Sequence, residues 1–247
     1  MKRFLCVCAC VLLVGSGVSL ADFDVAPGWD LFVTQPGSTF MGYEWEGVPL
    51  GVFDFGGTIG VQPTDDVDTI MERIDPATVL GPSQTATIDI ELVALQLQSI
   101  APIDLGAGLD FHFVTLQPGN PSTGTMDITF DSGDGGMFDS IFNLFFDIRI
   151  GALNGPIIWS APPNPFPPMV SVGNPWSRIP PDNGAVIIEG VNRFLKGPEL
   201  RDWDFWPIGP LEHDATGAGH HVVETPEPAT MSLLALGGLA LLRRRRK

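Results

Sequence analysis

The sequence predicts a mainly β protein whose body is an antiparallel β-sandwich or jelly-roll-like fold. Apolar and polar residues alternate along several segments, turn-forming Gly and Pro clusters separate those segments, and helical periodicity is rare. Of the 247 residues, 29 are Gly and 23 are Pro, which disfavours a long helical bundle. Two processing segments are expected to flank this body, a signal peptide before it and a short hydrophobic helix after it.

The clearest strands are predicted between residues 85 and 150. In 85–100 the apolar positions change face after Ala94, which indicates a β-bulge. The segments 109–116 and 126–130 alternate in the same way, and the run from Phe142 to Ile150 has the most regular pattern. Alternation of this kind indicates sheets with one buried and one solvated face.

Residues 64–74 carry the best helical pattern of the body. Acidic residues stand near the start, Arg73 stands near the end, and an apolar stripe follows a spacing of three and four. We expect one short surface helix there. A Pro-rich loop packed across the sheet is expected over 155–181, a last strand over 185–191, and a flexible polar tether over 209–224. The body is accordingly predicted to span 22–208.

The first 21 residues form a predicted secretory signal peptide. Lys2 and Arg3 precede an apolar run from Phe4 to Val14, and small residues at Ser19 and Ala21 favour cleavage between Ala21 and Asp22. All 3 cysteines lie inside this segment, so the mature protein is expected to contain none. Disulfides, Cys-ligated metals and a Cys nucleophile are therefore excluded from the body.

The stretch from Asp22 to Glu227, which includes the body, the tether and the start of the tail, has a strongly negative net charge. All 29 acids lie between Asp22 and Glu227, and only six of the 13 basic residues lie there, which gives 6 − 29 = −23. A field of this sign repels nucleic acid, because phosphate binding needs clustered Lys and Arg. It attracts cations and favours solubility.

Residues 225–247 have three distinct parts. A Pro-Glu-Pro motif at 226–228 precedes an uncharged apolar span at 229–242, and five cations follow. The span alone reaches only about 21 Å as a helix. The cations favour retention of the tail at the cytoplasmic side of a membrane, with the body outside. These cations are Arg243, Arg244, Arg245, Arg246 and Lys247.

This tail resembles the PEP-CTERM sorting signal of Gram-negative bacterial surface proteins. The resemblance implies that Pro226, Glu227 and Pro228 are recognised by an exosortase, a membrane-embedded transpeptidase-like enzyme with a catalytic cysteine. The tail would then be removed and the body released or transferred to the cell exterior. The resemblance also implies an association with exopolysaccharide and biofilm. Such proteins share the tail and not the body, so no function of the body follows from it.

Three aspartates, Asp131, Asp134 and Asp139, are candidate calcium ligands, because Ca²⁺ binds carboxylate oxygens on tight Gly-containing turns. The spacing departs from that of an EF-hand, since Gly133 and Gly135 occupy its third and fifth positions. A hairpin turn explains this segment without a metal and is favoured. We therefore expect no cofactor, with calcium as the alternative.

Other candidate sites are also better explained by structural roles. His213, His220 and His221 have the composition of a zinc site but fall in the predicted tether, and His112 is expected to point outward from its strand. A hydrolase that cleaves polysaccharide with a pair of carboxylates is an alternative. With 29 acids in the sequence, however, no particular pair can be selected. Four tryptophans are candidates for a sugar-binding platform, with packing in the core as the commoner role. They are Trp159, Trp176, Trp203 and Trp206.

The sequence as a whole predicts an exported surface or extracellular-matrix protein without catalytic residues. Its expected partners are signal peptidase, an exosortase, the inner membrane as a transient intermediate, and exopolysaccharide, with nucleic acid excluded. The alternatives are a secreted carbohydrate- or calcium-binding module and a polysaccharide-acting hydrolase.

Overall fold

The computed structural model describes residues 23–161, 167–179, 204–208, 211–215 and 218–224. Regular structure in these residues consists of strands, and each paired strand is antiparallel to its neighbours, which confirms the predicted class. The predicted signal peptide and C-terminal helix lie outside the described residues. The strands are β1 (Asp24–Val25), β2 (Gly28–Thr34), β3 (Thr39–Phe40), β4 (Tyr43–Gly47), β5 (Gly51–Asp54), β6 (Val61–Asp65), β7 (Thr69–Arg73), β8 (Ala77–Thr78), β9 (Gln84–Ser99), β10 (Ile103–Asp104), β11 (Leu109–Asp110), β12 (His112–Leu116), β13 (Ser122–Ser132), β14 (Gly135–Phe142), β15 (Phe146–Ile150), β16 (Ile157–Ser160), β17 (Met169–Ser177), β18 (Trp206–Pro207), β19 (Leu211–Ala215) and β20 (Ala218–Glu224).

Eight strands form a closed ring in the body. From β9 the pairing passes through β13, β14, β17, β19, β20, β2 and β7, and it then returns to β9. One interior cluster receives side chains from β2, β7, β9, β13, β14, β17 and β19. Opposite walls therefore pack against each other as the sheets of a sandwich do, and an eight-stranded ring is narrow enough for side chains to fill.

The long strand β9 contributes to more than one core. Ile88 and Ile90 enter the ring interior, whereas Leu95 and Leu97 enter a second cluster. The change of face occurs at a register shift against β7, where Ile70 pairs with Ala94 and Met71 pairs with Leu92. Val93 is thus the extra residue of a bulge, so the predicted bulge is present but lies before Ala94 and not after it.

A second sheet extends from the C-terminal half of β9. β4 pairs with one edge of this half, while β12, β15 and β16 continue the sheet from the other edge. The predicted strand over 142–150 is divided between the two cores, because β14 ends at Phe142 and β15 begins at Phe146. Phe142 packs in the ring and Phe146 packs in the second cluster.

The predicted helix over 64–74 is wrong, because these residues form the end of β6, a turn and β7. β7 pairs with β2 along one edge and β9 along the other, and its side chains are covered on both faces of the sheet. Ile70 packs with Leu31 in a third cluster, while Met71 faces the ring interior. Two buried faces place apolar residues next to each other in sequence, and this pattern resembled a helical stripe.

The segment 209–224 is not the flexible tether that we expected. Residues 211–215 and 218–224 form the β19–β20 hairpin, which pairs with β17 and β2 and completes the ring. The expected loop over 155–181 contains β16 and β17, two strands of the sheets. The central prolines of this loop at 162–166 and the strand predicted over 185–191 lie outside the described residues.

Candidate functional site

The calcium candidates are distributed along a hairpin. β13 ends at Ser132 and β14 begins at Gly135, so Asp134 lies in the turn, where its N–H donates to Ser132 Oγ at 3.2 Å. Asp139 lies farther along β14, and its carboxylate accepts the N–H of Gly173 at 2.6 Å. The described part of the chain contains no group of three or more His, Cys, Asp or Glu residues that could hold a metal ion.

His112 is buried, so the prediction that it points outward is wrong. The residue is 0% exposed, its backbone N–H donates to Ser99 Oγ at 3.1 Å, and its ring Nδ1 lies 2.9 Å from the carbonyl oxygen of Asp110. The expected single strand breaks at Phe111, between β11 and β12. This break changes which residues face inward, and it could not be seen in the alternation.

Two of the four candidate tryptophans belong to the core. Trp176 is 2% exposed and donates its Nε1–H to the carbonyl of Thr129 at 3.2 Å, and Trp206 is 1% exposed. Trp176 also stacks on Phe205 with ring centroids 5.1 Å apart. These two indoles are therefore not available as a sugar-binding surface. Trp159 is half-buried on β16, and Trp203 lies outside the described residues.

The histidines of the expected tether lie in paired strands. The backbone register places His213 opposite His220 and Glu212 opposite His221 in the β19–β20 hairpin. A zinc site in this segment remains a hypothesis from the sequence.

A pair of carboxylates lies on neighbouring strands of the ring. Glu72 on β7 is directly opposite Glu91 on β9, and both are half-buried. Burial, together with the negative charge of Glu91, raises the pKa of Glu72. Directly opposed residues in an antiparallel pair have Cβ atoms about 4.5–5.5 Å apart, so two acids are brought close together here.

One member of this pair, Glu91, lines a surface cleft of about 510 Å³. Glu91 and Val93 form part of its lining, and the loop from Gln117 to Pro121 forms much of the rest. One acid with a raised pKa beside a second acid is one of the arrangements that can support general acid–base chemistry. Sequence reasoning missed this pair, because only the register between β7 and β9 selects two acids from 29.

The ring also contains a small internal cavity of about 50 Å³. Its lining is mostly apolar and includes Phe32, Met71, Phe138 and Met169. Ser140 also lines it, is 4% exposed, and has a hydroxyl without a hydrogen-bond partner among the described residues. The space is large enough for ordered water and far below the size of a typical ligand pocket.

A buried ionic group joins the start of the body to its C-terminal part. Arg73 Nε lies 3.1 Å from Asp30, and its Nη2 lies 3.5 Å from Asp204. Arg73 also donates to the carbonyl of Ala26, and its guanidinium lies 5.0 Å from the ring centroid of Phe205. Burial raises the pKa of Asp30 to about 6, although the charge of Arg73 opposes this rise. The three charged side chains of the group are buried, and the group acts as a structural connection.

The C-terminal hairpin leads directly into the Pro-Glu-Pro segment. β20 ends at Glu224, which is paired with Phe32 of β2, and Pro226 follows two residues later. The motif residues 226–228 and the cations 243–247 lie outside the described residues, as do Ala21 and Asp22. No helix among the described residues is long and apolar enough to cross a membrane.

Comparison with known proteins identifies one segment of the chain. The family described as the PEP-CTERM protein-sorting motif matches residues 224–247. No curated protein and no solved structure matches the chain. The match coincides with the three-part tail and implies processing by an exosortase and export toward the cell surface. The chain therefore carries a PEP-CTERM protein-sorting motif behind a mainly β body.

Proposed function

We propose that the body is a non-enzymatic structural component of the cell surface or extracellular matrix, associated with exopolysaccharide or biofilm. The sorting motif at 224–247 is the observation that carries this proposal, because it directs the body to the exterior. The signal peptide at 1–21 provides entry into the export route, and the inner membrane holds the protein until its tail is cut.

The surface of the ring supports a role among hydrated polymers. On the outer wall formed by β9 and β13, the hydroxyls of Thr85 and Thr129 are 2.7 Å apart, and Thr87 donates to Asp127 at 2.6 Å. These groups are exposed and form rows of hydroxyl and carboxylate oxygens. Such rows can hydrogen-bond to sugar hydroxyls, and the net charge of −23 over residues 22–227 attracts bridging cations.

The sorting step is tested by the intact mass of the protein recovered from outside the cell. The wild type is expected to lack residues 1–21 and the residues that follow the Pro-Glu-Pro motif. A variant with Pro226→Ala and Pro228→Ala is expected to retain its tail and remain in the membrane fraction. Pro118→Ala with Pro121→Ala, in a surface loop, provides the matched control and should be processed normally. A wild-type protein that keeps its tail would contradict the proposal.

The matrix role is tested by deletion of the gene in its native host. Loss of the protein should reduce the mass of surface-attached matrix, and expression of the wild type should restore it. The Pro226→Ala and Pro228→Ala variant should fail to restore it. A matrix that is unchanged by the deletion would refute the structural role while leaving the sorting step intact.

A polysaccharide-acting hydrolase is the second candidate, and the Glu72–Glu91 pair beside its cleft favours it. Glu91→Gln should then reduce the release of reducing ends from purified exopolysaccharide by about 100-fold or more. Glu46→Gln, an exposed acid on β4, is the control and should leave the rate unchanged. No turnover by the wild type would exclude this candidate. A binding module instead predicts a higher unfolding temperature when calcium or glycan is added.

A further inference from the structure

The folded body and the sorting motif meet at one residue. Glu224 is the last residue of β20 and the first residue of the matched motif. It is not on a loose end, because β20 pairs with β2 from Val222 opposite Thr34 to Glu224 opposite Phe32. No spacer therefore separates the ring from the segment that the exosortase must bind.

The length of chain between the body and the membrane is correspondingly short. Residues 225–228 connect β20 to the apolar span that begins at Ala229. Five residue steps from Glu224 to Ala229 cover at most about 17 Å when fully extended. An intact ring would stand against the membrane face, where a membrane-embedded enzyme must enclose an extended peptide around Pro226 and Pro228.

Among the described residues, the β19–β20 hairpin is joined to the rest of the ring by the shortest strand pairings. β17 pairs with β19 at Val170 and Asp214, β2 pairs with the C-terminal end of β20, and the short strand β3 pairs with its N-terminal end. By contrast, β9 and β13 pair continuously over 84–92 of β9. Segments with few interstrand hydrogen bonds open at the lowest free-energy cost, so the ring is expected to open at this hairpin first.

We propose that tail cleavage requires the C-terminal end of β20 to be separated from β2, so that closure of the ring and processing of the tail compete. This inference rests on the proposed sorting function. Cleavage breaks one peptide bond: the carboxyl carbon on the body side passes to water or an acceptor nucleophile, and the tail leaves as the amine. Closure of the ring after the cut then incorporates the remaining end of β20 in the sheet.

A redox-controlled crosslink tests the requirement. Val33 of β2 is opposite Val223 of β20, and removal of residues 1–21 leaves the chain without native cysteine. A variant with Val33→Cys and Val223→Cys should form a disulfide after export, which prevents the strands from separating. Cleavage by exosortase-containing membranes should then be at least tenfold slower than in the wild type, and a reductant should restore it. The two single-cysteine variants are the controls and should be cut at the wild-type rate.

A spacer provides the second measurement, independent of the crosslink. Ten Gly and Ser residues inserted between Glu224 and Thr225 should increase the cleavage rate severalfold and should also rescue the crosslinked variant. The same insertion after Gly119, in the surface loop, should have no effect on the rate. Cleavage of the fully crosslinked variant at the wild-type rate, or an unchanged rate with the spacer, would overturn the inference. An uncut wild type would instead refute the sorting function itself.

Discussion

The buried ionic group around Arg73 gives the sharpest test of how the body is held together. Replacement of Arg73 by Met keeps the length of the side chain but removes its charge, so Asp30 and Asp204 lose their countercharge. The two carboxylate side chains are only 2% and 7% exposed, and Arg73 is 3% exposed. Removal of one partner from a buried ion pair typically costs about 3–5 kcal/mol, because a charge is left buried and uncompensated.

We expect Arg73→Met to reduce the free energy of unfolding by this amount at pH 7. For a body of about 200 residues, such a loss lowers Tm by roughly 10 °C. The assay is urea denaturation followed by tryptophan fluorescence, since Trp176 stacks on Phe205 next to the guanidinium. Arg149→Met is the control: Arg149 is 18% exposed and lies 3.5 Å from Asp147, so its loss should cost less than half as much.

The dependence on pH provides an independent check of the same reasoning. Burial raises the pKa of Asp30 from its ordinary value of 3.8 to about 6, so the folded state binds an extra proton between these pH values. Its contribution to stability therefore falls as pH rises through this range, by about 3 kcal/mol in all. Without Arg73 the pKa of Asp30 rises further, so the deficit of the variant should shrink at pH 4.5. A loss below about 1 kcal/mol at pH 7, or an equal loss at both pH values, would refute the reasoning.

Three further predictions concern packing and are measured by urea denaturation. Phe130→Ala should reduce the free energy of unfolding by about 3–5 kcal/mol, because the Phe130 side chain is 0% exposed inside the ring of strands. Leu80→Ala, at a 96% exposed position, should change it by less than about 0.5 kcal/mol. Gly124→Ala should destabilise by about 2 kcal/mol or more, because the added Cβ would lie 1.9 Å from a backbone oxygen of β14, whereas Gly81→Ala meets no atom within 4 Å; equal effects would contradict this. Ser140→Ala should be neutral or stabilising by up to about 1 kcal/mol, since its hydroxyl lines an apolar cavity and has no hydrogen-bond partner in the described part of the chain; a clear loss of stability would contradict this.

The sequence predicted those parts of the fold in which one face of a strand is buried. The alternation in β9 correctly predicted a bulge, because a bulge leaves a visible shift in the period of two, although the change of face occurs at Val93 and not after Ala94. Residues 69–73 were misinterpreted, because β7 is covered on both faces and adjacent apolar residues then resemble a helical stripe. His112 was misplaced because the break before β12 depends on pairing with distant strands.

The candidate sites also divide into those that a contiguous stretch of sequence reveals and those that only the pairing of strands creates. The sorting motif was predictable because a processing enzyme recognises a short contiguous peptide, so the order of residues is sufficient. The Glu72–Glu91 pair was not predictable, because it is created by the register of two strands that are separate in the sequence. The same limit applied to Trp176 and Trp206, whose burial depends on which strands close the ring.

The sequence by itself determined the destination of the protein and its structural class. Local patterns were sufficient for both, since the motif at 224–247 is contiguous and strand alternation repeats every two residues. Only the tertiary structure decided that the body closes into a ring and that β20, expected as a tether, is the strand that completes it. The pairing of Glu224 with Phe32 joins residues nearly 200 positions apart, and no local pattern in the sequence records that contact.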